Sequence, residues 1–569
     1  MRCCFCLVLS LLVLSPVEAQ GVPVGSCERG TTTATLQTSS LSVPLFNDGH
    51  LFWDYSDYKR KYRVLPDTLA SPVYAGNLWL SGYIGDSPRV AAAAYDLDEF
   101  WPGPLVDAEA PPSDCSAYDR IWTVSRSDVE QYHGTGRATR DLSEWPYQSG
   151  APVIDGDGDP SNYDLAAGDQ PRLIGDAAAF WVMNDAGNAH TGTGSAPLGV
   201  EVRALAFAFE ESPFPPASFR PLRETLFLRY EIVNRRSVPI DSLRLSLWSD
   251  VDLGEYNDDY VGTDTLRHLV YVYNADNLDD GEGVGGYGEA PPAWGILFLR
   301  GLPAADNGRD DDRDGVIDEP GERSGLTTAP PAPKNTPFGS GDPYDAEHFL
   351  NMQRGRFEDG TPVIQYGYGH AGYGFDDPPS DARPTVFGFP ASPADGSFWS
   401  ALDADGNGEP INPGDRRMVG TTGPTSLGPG DSVVVDLAFP FARGSDHLRS
   451  VAQLSSVANG LLAAFGEGFP SRPVERPAER LPDRLAVSRV RPNPTSGSAS
   501  VTLSLPESAH VEATVHDALG RRLAVIASGT HGPGTLDLTT PDGLPAGAYV
   551  LRIRAGTADA VALPFTVVR

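Results

Sequence analysis

Lysine is nearly missing from this chain. Only Lys59, Lys61 and Lys334 occur in 569 residues, so arginine supplies most of the 43 basic side chains that face 76 acidic ones. The net charge is −33. No basic patch offsets a field of that size, which excludes nucleic acid as a partner. Long apolar runs are also missing. Leu7 to Leu14 is too short to cross a bilayer, and the sequence offers no other transmembrane segment. Cysteine is scarce: Cys3, Cys4 and Cys6 crowd the N-terminus, leaving Cys27 and Cys115, too few for a four-thiolate zinc site. The chain lacks a His-Glu-x-x-His zinc pair and a Gly-x-Ser-x-Gly nucleophile elbow. The catalytic residues are unknown at this level, and no cofactor-binding motif stands out. His190 near Asp185 and His348 beside Glu347 read as structural or solvent-facing histidines rather than catalytic pairs.

What the chain has in plenty is turn chemistry, with 61 glycines and 51 prolines. Residues 1–19 have the form of a secretory signal peptide, with Arg2, the Leu7–Leu14 core and a small-residue end at Val17-Glu18-Ala19. An exported chain meets an oxidising compartment, so Cys27 and Cys115 are expected to form one disulfide, the other arrangement being two buried thiols. By the chain-entropy argument such a bridge contributes on the order of 4 kcal/mol.

The fold class expected is all-β. Residues 20–466 form a β-sandwich-rich body, in one or two lobes, with long loops and one or two short helices. Alternating segments such as Leu226–Val233 and Leu243–Trp248, and apolar ones at Leu269–Tyr273, Gly295–Leu299 and Val433–Phe439, predict strands. The dense aromatics of residues 41–105 read as core. Ser127-Asp-Val-Glu130 predicts a capped helix stopping near Gly134, and Ser445–Phe465 a longer one. A Pro/Arg/Glu-rich linker follows at 467–484.

Residues 485–569 change pattern. Val501, Leu503 and Leu505 alternate with polar neighbours, as do Val511, Ala513 and Val515. About seven short strands separated by turns predict a small sandwich. This stretch opens with Arg491-Pro-Asn-Pro-Thr-Ser-Gly497 and carries His516-Asp-Ala-Leu-Gly-Arg-Arg522 and Leu544-Pro-Ala-Gly-Ala-Tyr-Val-Leu-Arg552. At these residues it resembles the type A C-terminal sorting domain of the type IX secretion system, an immunoglobulin-like sandwich similar to the flagellar hook-capping fold. The Asn184–His190 and Pro197–Glu201 segments resemble ectodomains of uncharacterised type IX cargo. The resemblance implies the type IX machinery as partner, passage through the periplasm, and a destination outside the cell or on the outer-membrane surface. It carries no activity with it.

The remaining chemical signal is calcium. Asp310, Asp312, Asp314 and Asp318 fall at positions one, three, five and nine of an EF-hand-type loop, with Gly315 sixth. Gly321 stands where the bidentate glutamate belongs, and Glu322 follows it. Asp403, Asp405 and Asn407 repeat the first half, with Asp415 further on. Asp155, Asp157 and Asp159 have the spacing, but Pro160 replaces the glycine, with Asp164 as a further candidate ligand. Asp250 and Asp252 form a fourth group with Asn257, Asp258, Asp259 and Asp264. A structural calcium is the cofactor expected. The reading is therefore a secreted, calcium-stabilised adhesive or structural surface component without catalysis, with a surface glycan or protein as ligand. An exported hydrolase acting on polysaccharide or protein is the alternative, because a glycosidase needs only two carboxylates.

Overall fold

The computed structural model describes residues 25–568 except 55–58, 68, 96–97, 107–114, 211–219, 282–284, 305–309, 311–316, 318–320, 335, 340, 375–377, 381, 466–468, 470–473 and 475–483. The expected signal peptide lies outside them. The chain divides into two compact units, with the main boundary after Val474.

The first unit is built on two antiparallel sheets. One runs in the order Thr33–Gln37, Leu41–Phe46, His50–Leu51, Ala75–Ile84, Ile240–Val251, Arg416–Leu427, Ala332–Pro333. The other runs Trp122–Ser125, Ala177–Asn184, Val200–Ala208, Leu226–Asn234, Ser432–Phe439, Ala293–Arg300, Leu269–Asn274, Asp259–Asp264. Both contribute to one hydrophobic core, where Leu78, Leu245, Leu247 and Met418 of the first sheet join Phe207, Leu228, Tyr230 and Leu437 of the second. Each such buried side chain contributes roughly 1.5–3 kcal/mol. The protein is all-β in architecture, as the period-2 pattern predicts.

The first sheet is buried on its other face too. Leu243, Leu245 and Leu247 enter the shared core, while Trp248 joins a second cluster with Trp79, Val419 and Phe349. Trp79 stacks near Trp248 at 6.2 Å and meets Phe349 edge-on at 4.8 Å. Phe349 belongs to the helix Ala346–Gln353, which the sequence reading missed. Asp345 caps it by accepting from the His348 N–H at 2.9 Å.

The long helix is His447–Phe465, capped by Asp446, whose Oδ1 accepts from the Arg449 N–H at 2.8 Å. Val451, Leu454, Leu461 and Phe465 are buried along one stripe. The short helix is Arg126–Thr135, but its capping box begins at Ser125 rather than Ser127. Ser125 Oγ accepts from the Asp128 N–H, and Asp128 Oδ2 accepts from the Ser125 N–H. Two described residues of the expected 467–484 linker belong to the first unit. Phe469 packs edge-on against Phe207 and Phe227, and Val474 is buried with its carbonyl accepting from Gln170.

The second unit has seven strands from Ala486–Val487 to Val561–Val567, in sheets of three and four. Val501, Leu503, Leu505, Val511, Ala513 and Val515 build its own core with Leu551 and Phe565. Asn493 forks onto the last strand, donating to the Pro564 carbonyl and accepting from the Thr566 N–H. Thr495 continues that contact through the Thr566 carbonyl and the Val568 N–H. Asp517 closes the next turn by accepting from Leu519 and Arg521.

Candidate metal centre

Strand register creates the main acidic site. Ile240–Val251 pairs antiparallel with Arg416–Leu427, setting Asp250 opposite Arg417 and Val251 opposite Arg416. One step beyond the ladder, Asp252 and Asp415 come level. Carboxylate oxygens of Asp250, Asp252 and Asp415 lie within 4.8 Å of one another, with Asp250 buried and the other two half-buried. The sequence reading assigned Asp415 to the Asp403 loop; the register places it here.

Arg417, nearly closed to solvent, is the counter-charge. Its guanidinium pairs with Asp250, Asp415 and Asp342, the last at 2.7 Å, and donates to Tyr95 Oη at 2.8 Å. Tyr95 Oη in turn donates to Asp250 Oδ2 at 2.7 Å. Lys334 pairs with Asp342. Arg416 lies buried beside Asp415 and Asp259 as a further cation. Burial, with Asp252 and Asp415 nearby, pushes the Asp250 carboxyl well up against the opposing pull of Arg417.

Beside this group the loop 252–259 adds more acid. Asp259 is fully buried; its Oδ2 accepts from the Leu253 N–H at 3.0 Å and its Oδ1 has no hydrogen-bond partner among the described residues. Burial, then Asp258, Asp252 and Asp279, push its carboxyl well up. Asp258 is pushed up to about 6, chiefly by burial. Carboxylate oxygens gathered at low exposure are the kind of hard donor set a divalent cation takes. Asp250, Asp252 and Asp415 fit that role, with Arg417 holding the edge of the group that faces the sheet.

The second acidic group is Asp155, Asp157 and Asp169. Asp159 is not part of it; its Oδ1 accepts from the Ser161 N–H and hydroxyl. Asp169 takes its place, buried and accepting from the Gly156 and Asp164 N–H groups. Asp164 turns to the Ala166 N–H instead. Asp403, Asp405 and Asn407 curl into successive turns: Asp403 accepts from Gly406 and Gly408, and Asp405 from Asn407 and Glu409. Of the Asp310 loop's candidate ligands only Asp310 is described; Asp312, Asp314 and Asp318 lie outside the described residues.

His190 is buried with a job in packing. Its Nδ1 lies 3.0 Å from Glu99 Oε2 and its Nε2 2.7 Å from the Asp185 carbonyl, with Trp101 stacked at 5.8 Å. The Asp185 carboxylate accepts from the Leu198, Gly199 and Val200 N–H groups, tying the two segments of the cargo resemblance together. Cys27 and Cys115 are disulfide-bonded, with Cα atoms 5.7 Å apart, beside Trp101. Among the described residues no helix is long and apolar enough to cross a membrane.

No family model matches this chain, and no curated protein matches it. Among solved structures, an alignment with a polysaccharide lyase covers 64% of this chain and 34% of that one, at 9% identity and a TM-score of 0.18. Another, with the BSP domain of a biofilm associated protein, covers 60% of each at 11% identity and a TM-score of 0.12. The chain thus spans less than two thirds of either, and scores this low carry no argument about fold or function.

Proposed function

We propose that this is a surface component exported by the type IX route, with the C-terminal unit as sorting domain and calcium stabilising the body's acidic strand ends. Its role is adhesive or structural. The observation that carries this reading is the C-terminal unit: the Pro-Asn-Pro-Thr-Ser-Gly segment is bonded to the last strand, and the unit has a core of its own. A detachable address has that construction, since it folds and is recognised independently of its load. The convergence of Asp250, Asp252 and Asp415 supports the calcium part. Removing 485–569 in the native host should strand the protein in the periplasm, as read by protease accessibility of intact cells and by fractionation. Undiminished surface display of the shortened chain would sink the sorting assignment.

A further inference from the structure

A cleft of about 580 Å³ opens in the first unit, lined by none of the carboxylates of the acidic centre and within the size range of small-ligand sites. Tyr118, Tyr147 and Tyr163 line it with partly exposed rings, and Glu201, Arg203 and Arg235 supply its polar side. Tyr147 and Tyr163 stack with centroids 6.1 Å apart and planes 22° from parallel. Both rings are fixed at their far ends: Tyr147 Oη donates to the Ser161 carbonyl and Tyr163 Oη to the Leu142 carbonyl, each at 2.9 Å.

The polar side is held as firmly. Glu201 is buried and receives Arg235 in a fork, Nη2 to Oε1 at 2.9 Å and Nε to Oε2 at 3.2 Å. Arg203 Nε donates to the same Oε1 at 2.8 Å, its Nη1 reaches Glu231 at 3.2 Å, and the Leu105 N–H donates to Oε2 at 3.1 Å. Arg203 can lie there because residue 150 is glycine: a Cβ at Gly150, whose φ is +90°, would come within 2.7 Å of Arg203 Cδ and Nη1. The guanidinium planes are thus oriented before any ligand arrives, which lowers the ordering cost of binding.

We infer that this cleft binds a neutral saccharide chain. Ring faces suit the C–H face of a pyranose, and the N–H groups of the held guanidiniums that do not face Glu201 or Glu231 suit the oxygens of hydroxyls. The arginines are already matched by Glu201 and Glu231, and Glu144, which also lines the cleft, by Arg120 and Arg140, so the cleft offers no unbalanced charge to an ionic ligand. A protein carrying −33 repels polyanions, which selects against acidic glycans. This deepens the surface-component reading and rests on it for the setting in which such a chain is met.

The test is affinity electrophoresis of the full chain through gels containing dextran, mannan or galactan, with alginate and heparin as acidic comparisons. At least one neutral polymer should retard the chain and the acidic ones should not. Tyr147→Ala should weaken that binding by about tenfold, while Tyr147→Phe, which keeps the ring, should retain it. Gly150→Ala, which displaces Arg203, should weaken it with an unchanged far-ultraviolet spectrum. No retardation by any neutral polymer, retardation by acidic ones only, or equal binding by a folded Tyr147→Ala variant would overturn the inference. If residues 485–569 prove dispensable for display while binding persists, only the export reading fails. If display needs them and nothing binds, only this inference fails.

Discussion

Glu99 gathers the Ala92, Gly192 and Thr193 N–H groups, the Thr193 hydroxyl and the His190 ring at one nearly inaccessible carboxylate. Burial alone would lower the basicity of His190, but Glu99, with Asp185 behind it, more than reverses this and raises it to about 9. A histidine raised in the folded state contributes stability in full below its unfolded value near 6.5 and loses it as pH climbs through about 9. The melting temperature should therefore fall across that window, and His190→Gln should flatten the slope. A wild-type slope no steeper than the variant's would show that the pair is not ionised.

At the scale of elements, strands were legible and their partners were not. Period-2 alternation marks Ile240–Val251 because one face enters a large core, yet nothing local says that Arg416–Leu427 lies beside it. The acidic site inherits that limit. Asp250 and Asp252 stand out as a pair after a strand, whereas Asp415 joins them only through register, and Asp169 joins Asp155 only because Gln170–Pro171 pairs with Val153–Ile154. The helix Ala346–Gln353 is short, and its apolar residues face a sheet surface that sequence cannot announce. Calcium should raise the melting temperature of the body, and Asp415→Asn should remove most of that gain. Asp403→Asn should leave it in place, because among the described residues Asp403 belongs to no group of three converging carboxylates. Equal loss in both variants would place the ion elsewhere.

Among the described residues the body and residues 485–569 each have a large core of their own, the body adding a smaller cluster on the other face of its first sheet. Two thermal transitions are expected by calorimetry. Leu503→Ala, at a fully buried position of the smaller core, should cost about 2–5 kcal/mol and lower one transition alone. A single merged transition that shifts as a block would contradict independent cores. The alternation in this unit made its strands legible, while the contacts of Asn493 and Thr495 with the last strand were hidden because they span some 70 residues.

The body's central strands take neighbours from opposite ends of the chain. Leu226–Asn234 lies against Ser432–Phe439, and Ile240–Val251 lies between Ala75–Ile84 and Arg416–Leu427. A ribosome making this protein has therefore released most of both sheets before the strands that join them exist. Apolar segments such as Ala177–Asn184 must wait uncovered, and closing loops of this length is slow. Pairings between strands so far apart in the chain form late, so exposed apolar strands before closure are the expected point of aggregation during synthesis.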